Sequence, residues 1–228
     1  MKLLRRRPWA CLTIGIGIAL GGANFASGTS ASKHQEVASW SKPQGDLSVM
    51  TYNVKGLPEP IVPGRREMLE RIGVRLAAMR SAGRQPSIVV LQEAFTADAR
   101  RIAELAGYAY VLPGPARADT NEATGATARP RSWLLGETLA PQLDSGLLML
   151  SDFPIVAASR AAFPRSACAG FDCLANKGVL VAIVNVPGKG PVTVATTHLN
   201  SRGASGAPEP HTQMAYGDQI KFMASLLS

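Results

Sequence analysis

Apolar and polar positions along the chain follow two periods. Residues 47–53, 88–93, 147–150, 155–162, 178–186 and 191–198 are alternating or β-branched runs of strand length, and each predicts a strand. Residues 108–112 predict one more short strand. Residues 65–82 differ, because Met68, Leu69, Ile72, Leu76 and Met79 recur at the i, i+3, i+4 spacing of an amphipathic helix. The charges at Arg65, Arg66, Glu67, Glu70, Arg71 and Arg75 read as its solvated face, and Gly83 as its stop. Thr96 predicts an N-cap for a helix over 97–106. Met214, Ile220, Phe222, Met223, Leu226 and Leu227 predict a last helix over 212–227. Pro187-Gly-Lys-Gly190 is a hairpin signal. Residues 113–130, rich in Ala, Gly, Thr and Pro, predict a long surface loop. Strands joined by both helices and hairpins give an α/β protein whose sheets are not purely parallel. A Gly-rich phosphate loop and a Gly-x-Ser-x-Gly elbow are absent from the sequence, which argues against P-loop and serine-hydrolase chemistry.

The apolar runs end on polar residues suited to phosphate chemistry. Glu93 follows Ile-Val-Val-Leu-Gln, where a dry, unpaired carboxylate would be costly. A hard divalent cation resolves that cost, and so would water or an arginine partner. Asn53 ends the first strand, where its amide can ligate a metal, donate to a phosphate, or start a turn. His198 and Asn200 are two apart and share a face if the strand continues. They form a phosphate cradle, or His198 is a satisfied structural histidine. Asp144 precedes a buried strand, as a site acid or a turn residue. Asp172 and Lys177 precede another, with Lys177 facing a phosphate or the solvent.

Composition changes the picture little: 46% hydrophobic and 18% charged is globular rather than disordered. Charge matters more. Residues 1–31 hold Lys2, Arg5, Arg6 and Arg7 and no acid, so they account for half of the net +8. Those basic residues, an apolar run too short to span a bilayer, and small residues after it predict a signal peptide over 1–31, with an uncleaved anchor as the alternative. Residues 32–46 read as a linker, and 47–228 as the folded domain, exported to the periplasm or secreted. The domain's mildly basic balance suits an anionic substrate without requiring one. In an oxidising compartment Cys168 and Cys173 can close a small loop, and free thiols or a zinc pair are the alternatives.

Five segments in order carry a resemblance. They are Met-Thr-Tyr-Asn-Val (50–54), Leu-Gln-Glu-Ala-Phe (91–95), Ser-Gly-Leu-Leu-Met-Leu-Ser-Asp-Phe-Pro-Ile (145–155), Ala-Asn-Lys-Gly-Val (175–179) and Thr-Thr-His-Leu-Asn-Ser (196–201). Together they resemble the endonuclease/exonuclease/phosphatase (DNase I-like) superfamily, and Asp172 with Asn-Lys-Gly and Thr-His-Leu looks most like its bacterial neutral sphingomyelinases. The resemblance implies a two-sheet β-sandwich flanked by helices in four α/β/β/α layers. It implies Mg2+, or Mn2+ or Ca2+, on Glu93 with Asn53 beside it. His198 is implied on the scissile phosphate, with Asp144 and Asp172 supporting it and Asn200 near it. The implied activity is a metal-dependent phosphodiesterase that hydrolyses a phosphate ester, a membrane phospholipid among the candidates. A nuclease, an inositol-phosphate phosphatase or a non-catalytic binding module of the same fold are the alternatives. Two further motifs of the superfamily are not found: a Gly-Asp-x-Asn strand end and a late Asp-His pair that supplies the general base. The expectation is a domain whose C-terminal third is missing, inactive by itself and poorly soluble.

Overall fold

The computed structural model describes residues 47–59, 61–121 and 129–228. The expected signal peptide and linker, and part of the loop over 113–130, lie outside the described residues. Among the described residues seven strands form two sheets. The first takes β1 (Val49–Asn53), β2 (Ile88–Gln92), β3 (Tyr110–Pro113) and β4 (Leu148–Ser151), in the order β1-β2-β4-β3. Its first pair is parallel, Val49 opposite Ile88, and the others are antiparallel. The second is an antiparallel meander of β5 (Ile155–Ala162), β6 (Gly178–Val186) and β7 (Gly190–Thr197).

The period-two pattern splits the first sheet between two cores. Val89, Leu91, Leu148 and Leu150 pack against Leu69 and Leu76 of α1 (Arg65–Ser81). Ala99 of α2 (Ala97–Arg100) and Ile102 and Ala106 of α3 (Ile102–Ala106) complete that layer. The alternate positions Ile88, Val90, Leu147 and Met149 face Leu180, Ala182, Val184 and Val186 across the sandwich. Residues of β2 and β4 are therefore apolar on both faces, which is why those strands read as continuous runs. Expected local signals hold their places. Thr96 accepts from the Ala99 N–H at 3.3 Å, and Gly83 closes α1 at φ +66°. Between 97 and 106 the expected helix is two short helices, α2 and α3, meeting at Arg101.

The last helix, α4 (Glu209–Leu227), docks through Gln219, whose Nε2 donates to the Ala167 carbonyl at 2.8 Å. Phe163 and Phe222 meet edge to face with centroids 5.7 Å apart. A 3-10 helix, Gly170–Leu174, which the hydrophobic pattern does not show, lies between β5 and β6. The disulfide Cys168–Cys173 staples it. No described helix is long and apolar enough to cross a membrane.

Candidate functional site

Three strand ends, from both sheets, supply the site. Asn53 is the last residue of β1, Glu93 follows β2 and His198 follows β7. Parallel pairing of β1 with β2 puts Asn53 opposite Gln92, so the two strands end together. The chain is then laced just beyond. The Val54 N–H donates to the Gln92 carbonyl at 3.0 Å and the Gly56 N–H to the Glu93 carbonyl at 2.9 Å. Arg65, expected on a solvated face, instead donates to the Val54 and Lys55 carbonyls at 2.7 and 3.1 Å. Glu93 adopts φ +56°, a region costly for a residue with a Cβ and common where a side chain is aimed for use.

The Glu93 carboxylate accepts from Asn53 Nδ2 at 2.7 Å. Asn53 Oδ1 accepts the Lys55 N–H at 2.9 Å, so the amide is oriented by backbone at one end and orients the carboxylate at the other. His198 Nε2 lies 3.8 Å from the same Glu93 oxygen, and His198 Nδ1 is buried without a hydrogen-bond partner. Burial first, then the Lys177 ammonium, push the His198 pKa down to about 4 against the pull of Glu93 and Asp172. The ring is neutral at physiological pH.

Behind the histidine sits an ion pair. Lys177 Nζ is 3.0 Å from Asp172 Oδ2 and donates to the Leu199 carbonyl at 3.0 Å. Asp172 also accepts the Ser201 N–H. Lys177, whose side chain is 6% exposed, is therefore no solvated lysine. The pair grips the chain on the C-terminal side of His198, at residues 199 and 201.

Two expected members stand apart. Asp144 takes the Arg100 guanidinium on one oxygen and the Arg117 N–H, at 2.7 Å, on the other, rather than supporting His198. Burial raises its carboxyl, but those partners outweigh burial and hold the pKa below the ordinary carboxylate value. It lines a cleft of about 270 Å³ with Arg100, Asp119 and Arg160, bordered by Ala94 next to Glu93. Asn200, expected beside His198, is buried, and its amide is spent on structure. Oδ1 accepts the Ala169 N–H at 2.8 Å and Nδ2 donates to the Ser201 carbonyl at 2.9 Å. The physical reason is that β7 ends at Thr197, so the two-residue alternation no longer applies at residue 200.

Gly56 is the site residue that the pattern left as loop. A Cβ there would lie 2.8 Å from the Glu93 carbonyl and 2.6 Å from Ala99 Cβ. Its only sequence signal is a glycine three residues after a polar strand end.

The two sheets, their helical flanks and the strand-end site define a DNase I-like α/β sandwich. Solved structures carry it further, to the sphingomyelinase-like form of that fold. A β-toxin variant from Staphylococcus aureus with bound magnesium ions matches at TM-score 0.61 and 21% identity, over 80% of this chain and 59% of that one. Sphingomyelinase C from Streptomyces griseocarneus matches at TM-score 0.59 and 28% identity, over 79% and 58%. An endonuclease/exonuclease/phosphatase protein from Beutenbergia cavernae matches at TM-score 0.51 and 21% identity, over 78% and 43%. This chain thus spans less than two thirds of the length of each. No family model and no curated protein matches it.

Proposed function

We propose that residues 47–228 form the metal- and phosphate-facing part of an exported, sphingomyelinase-like phosphodiesterase. The observation that carries this is a Glu93 carboxylate, aimed by Asn53 at 2.7 Å and set 3.8 Å from a neutral His198. The donor set suits Mg2+, which takes one or two carboxylates and fills its shell with water and phosphate oxygens. Mn2+ or Ca2+ would use the same oxygens. No cluster of three or more His, Cys, Asp or Glu that could hold a metal occurs among the described residues, and Glu93 is the carboxylate we assign as the anchor. Asn53 can add an oxygen by turning its amide, which would exchange its present contacts with Lys55 and Glu93. When bound, such an ion polarises a phosphoryl oxygen and stabilises the leaving oxygen.

The chain's own residues do the rest. His198, kept neutral, offers a ring N–H to a phosphate oxygen, and Lys177 adds positive potential behind it while holding Leu199. Asp172 balances that lysine. In-line water attack requires a base that accepts the water's proton. His211 lies in the first turn of α4, and no second histidine is placed beside Glu93 among the described residues. Two observations support export: the basic-then-apolar leader over 1–31, and a disulfide of the kind that persists in oxidising compartments. A phospholipid phosphodiester is favoured over nucleic acid by the likeness to the Streptomyces griseocarneus enzyme.

Mn2+ titration followed by electron paramagnetic resonance tests the site directly. Glu93→Gln is expected to weaken Mn2+ binding roughly tenfold or more. Equal affinity in the variant would remove Glu93 as the anchor. Sphingomyelin and DNA offered to the purified protein would then decide the substrate.

A further inference from the structure

The most exposed large apolar side chains of the described residues include Trp133 at 73% and Leu134 at 69%, on one turn. Leu139 at 52% ends that turn, and Phe171 at 51% sits on the 3-10 helix packed against it. We infer that Trp133, Leu134, Leu139 and Phe171 form a surface that inserts into the interfacial layer of a phospholipid membrane. This rests on the proposal that a lipid phosphodiester is the substrate, and it names the surface that would bring the site to it.

Three observations point to a membrane rather than a protein partner. First, the two segments are rigid and joined. Arg131 donates to the Glu137 carbonyl and, at 2.7 Å, to the Arg165 carbonyl. Arg165 donates to the Leu139 carbonyl and, at 3.1 Å, to the Cys173 carbonyl. The buried Glu137 carboxylate accepts the Gly170 N–H at 2.6 Å and the Ser132 N–H at 2.6 Å. Phe171 and Leu135 both flank Gly206. Four apolar side chains are thus held outward on a braced backbone, and ordering them on a membrane loses little entropy.

Second, the charge is one-sided. Glu137, the one acid in residues 129–140 and 163–171, is buried and paired with Arg129, whose side chain is 3% exposed, which leaves the partly exposed Arg131 and Arg165 unmatched by any acid of these segments. A Trp and Leu cluster with a basic surround matches the headgroup layer, where aromatic rings sit and phosphates attract guanidinium groups. Third, the surface is linked to the site through the chain. Phe171 precedes Asp172, which pairs with Lys177 and holds Ser201, and Lys177 holds Leu199 beside His198. Insertion of Phe171 would bring that network to the depth of lipid phosphates.

The purified full chain is mixed with vesicles of phosphatidylcholine with about 30 mol% phosphatidylglycerol and sedimented, in EDTA so that catalysis plays no part. The wild type is expected to bind, and a Trp133→Ser, Leu134→Ser, Phe171→Ser variant to partition roughly tenfold less. Trp133→Phe is expected to stay within about threefold of wild type, because it keeps an apolar ring at the surface. Near-UV circular dichroism checks that the triple variant is folded, and Leu139→Arg provides a second probe with the same expected loss. Brominated lipid should quench a fluorescence component that Trp133→Phe lacks. Three results would overturn the inference: no vesicle binding by wild type, equal binding by the folded triple variant, or binding wholly reversed by about 0.5 M NaCl. Self-association abolished by the same substitutions, without vesicle binding, would overturn it in favour of a second copy. Glu93→Gln should bind vesicles as wild type does. Loss of metal binding in that variant with vesicle binding intact keeps a failure of the site separate from a failure of this surface.

Discussion

His198 sits in an environment that its sequence neighbours do not suggest. An unperturbed imidazole titrates near 6.5, and this one is pushed down to about 4 by burial and by Lys177. Its stability effect has a definite sign. Between those values the unfolded chain binds a proton that the folded chain does not, so stability is full above about pH 6.5 and falls as pH drops toward 4. The loss over that window is of the order of a few kcal/mol. Urea unfolding at a series of pH values, in EDTA, should show this slope in the wild type and a smaller one in His198→Gln. An NMR titration midpoint for His198 above about 6 would contradict the burial argument.

Asn200 makes the opposite point at the same scale. By sequence it is a partner of His198, and in the fold it is a clamp between β7, the 3-10 helix and α4. Besides its amide contacts, its backbone N–H donates to Gln219 Oε1 at 2.7 Å. Asn200→Ala strands the buried Ala169 N–H and is expected to cost about 2 kcal/mol, with Mn2+ affinity changed by less than about threefold. The reverse, unchanged thermal stability with metal affinity reduced roughly tenfold, would place Asn200 in the site.

Among the elements, strands and the helix α1 were legible because burial imposes a strict period. Their predicted limits agree with the observed ones to within a few residues, and β5 and β6 agree residue for residue. The 3-10 helix at Gly170–Leu174 was not legible, because it has no period of its own. It is set by long-range contacts: the disulfide, the Glu137 carboxylate on the Gly170 N–H, and Gly170 at φ +66° with Ser205 too close for a side chain. Lys177 was legible as a candidate, facing a phosphate or the solvent, but its pairing with Asp172 was not, for the same reason. A lysine before a strand looks solvated until Asp172 and the Leu199 carbonyl are brought to it from other segments.

Among the described residues the strand edges of both sheets are open. β1 is the outer strand of the first sheet, and Val49 and Tyr52 on it are 54% and 42% exposed. β7 edges the second sheet, with alternate residues exposed along it. Unpaired edges of this kind template pairing with further strands. Sedimentation velocity on the purified chain should show concentration-dependent self-association. Val49→Lys should reduce it while changing unfolding stability by no more than about 0.5 kcal/mol. A monodisperse wild type at high concentration would show that these edges are covered.

What the sequence determined by itself was everything governed by local periodicity: two kinds of element, their order, and the polar residues that end the apolar runs. Asn53 and Glu93 belong to this class as strand ends, and the parallel pairing of β1 with β2 then carries them to one rim. What the tertiary structure decided was which of those polar residues meet. Glu93 and His198 come within 3.8 Å because two sheets stack, and Asp144 goes to Arg100 because α2 packs beside it. Contacts between segments far apart in sequence depend on packing that no period encodes, and the site is built from them.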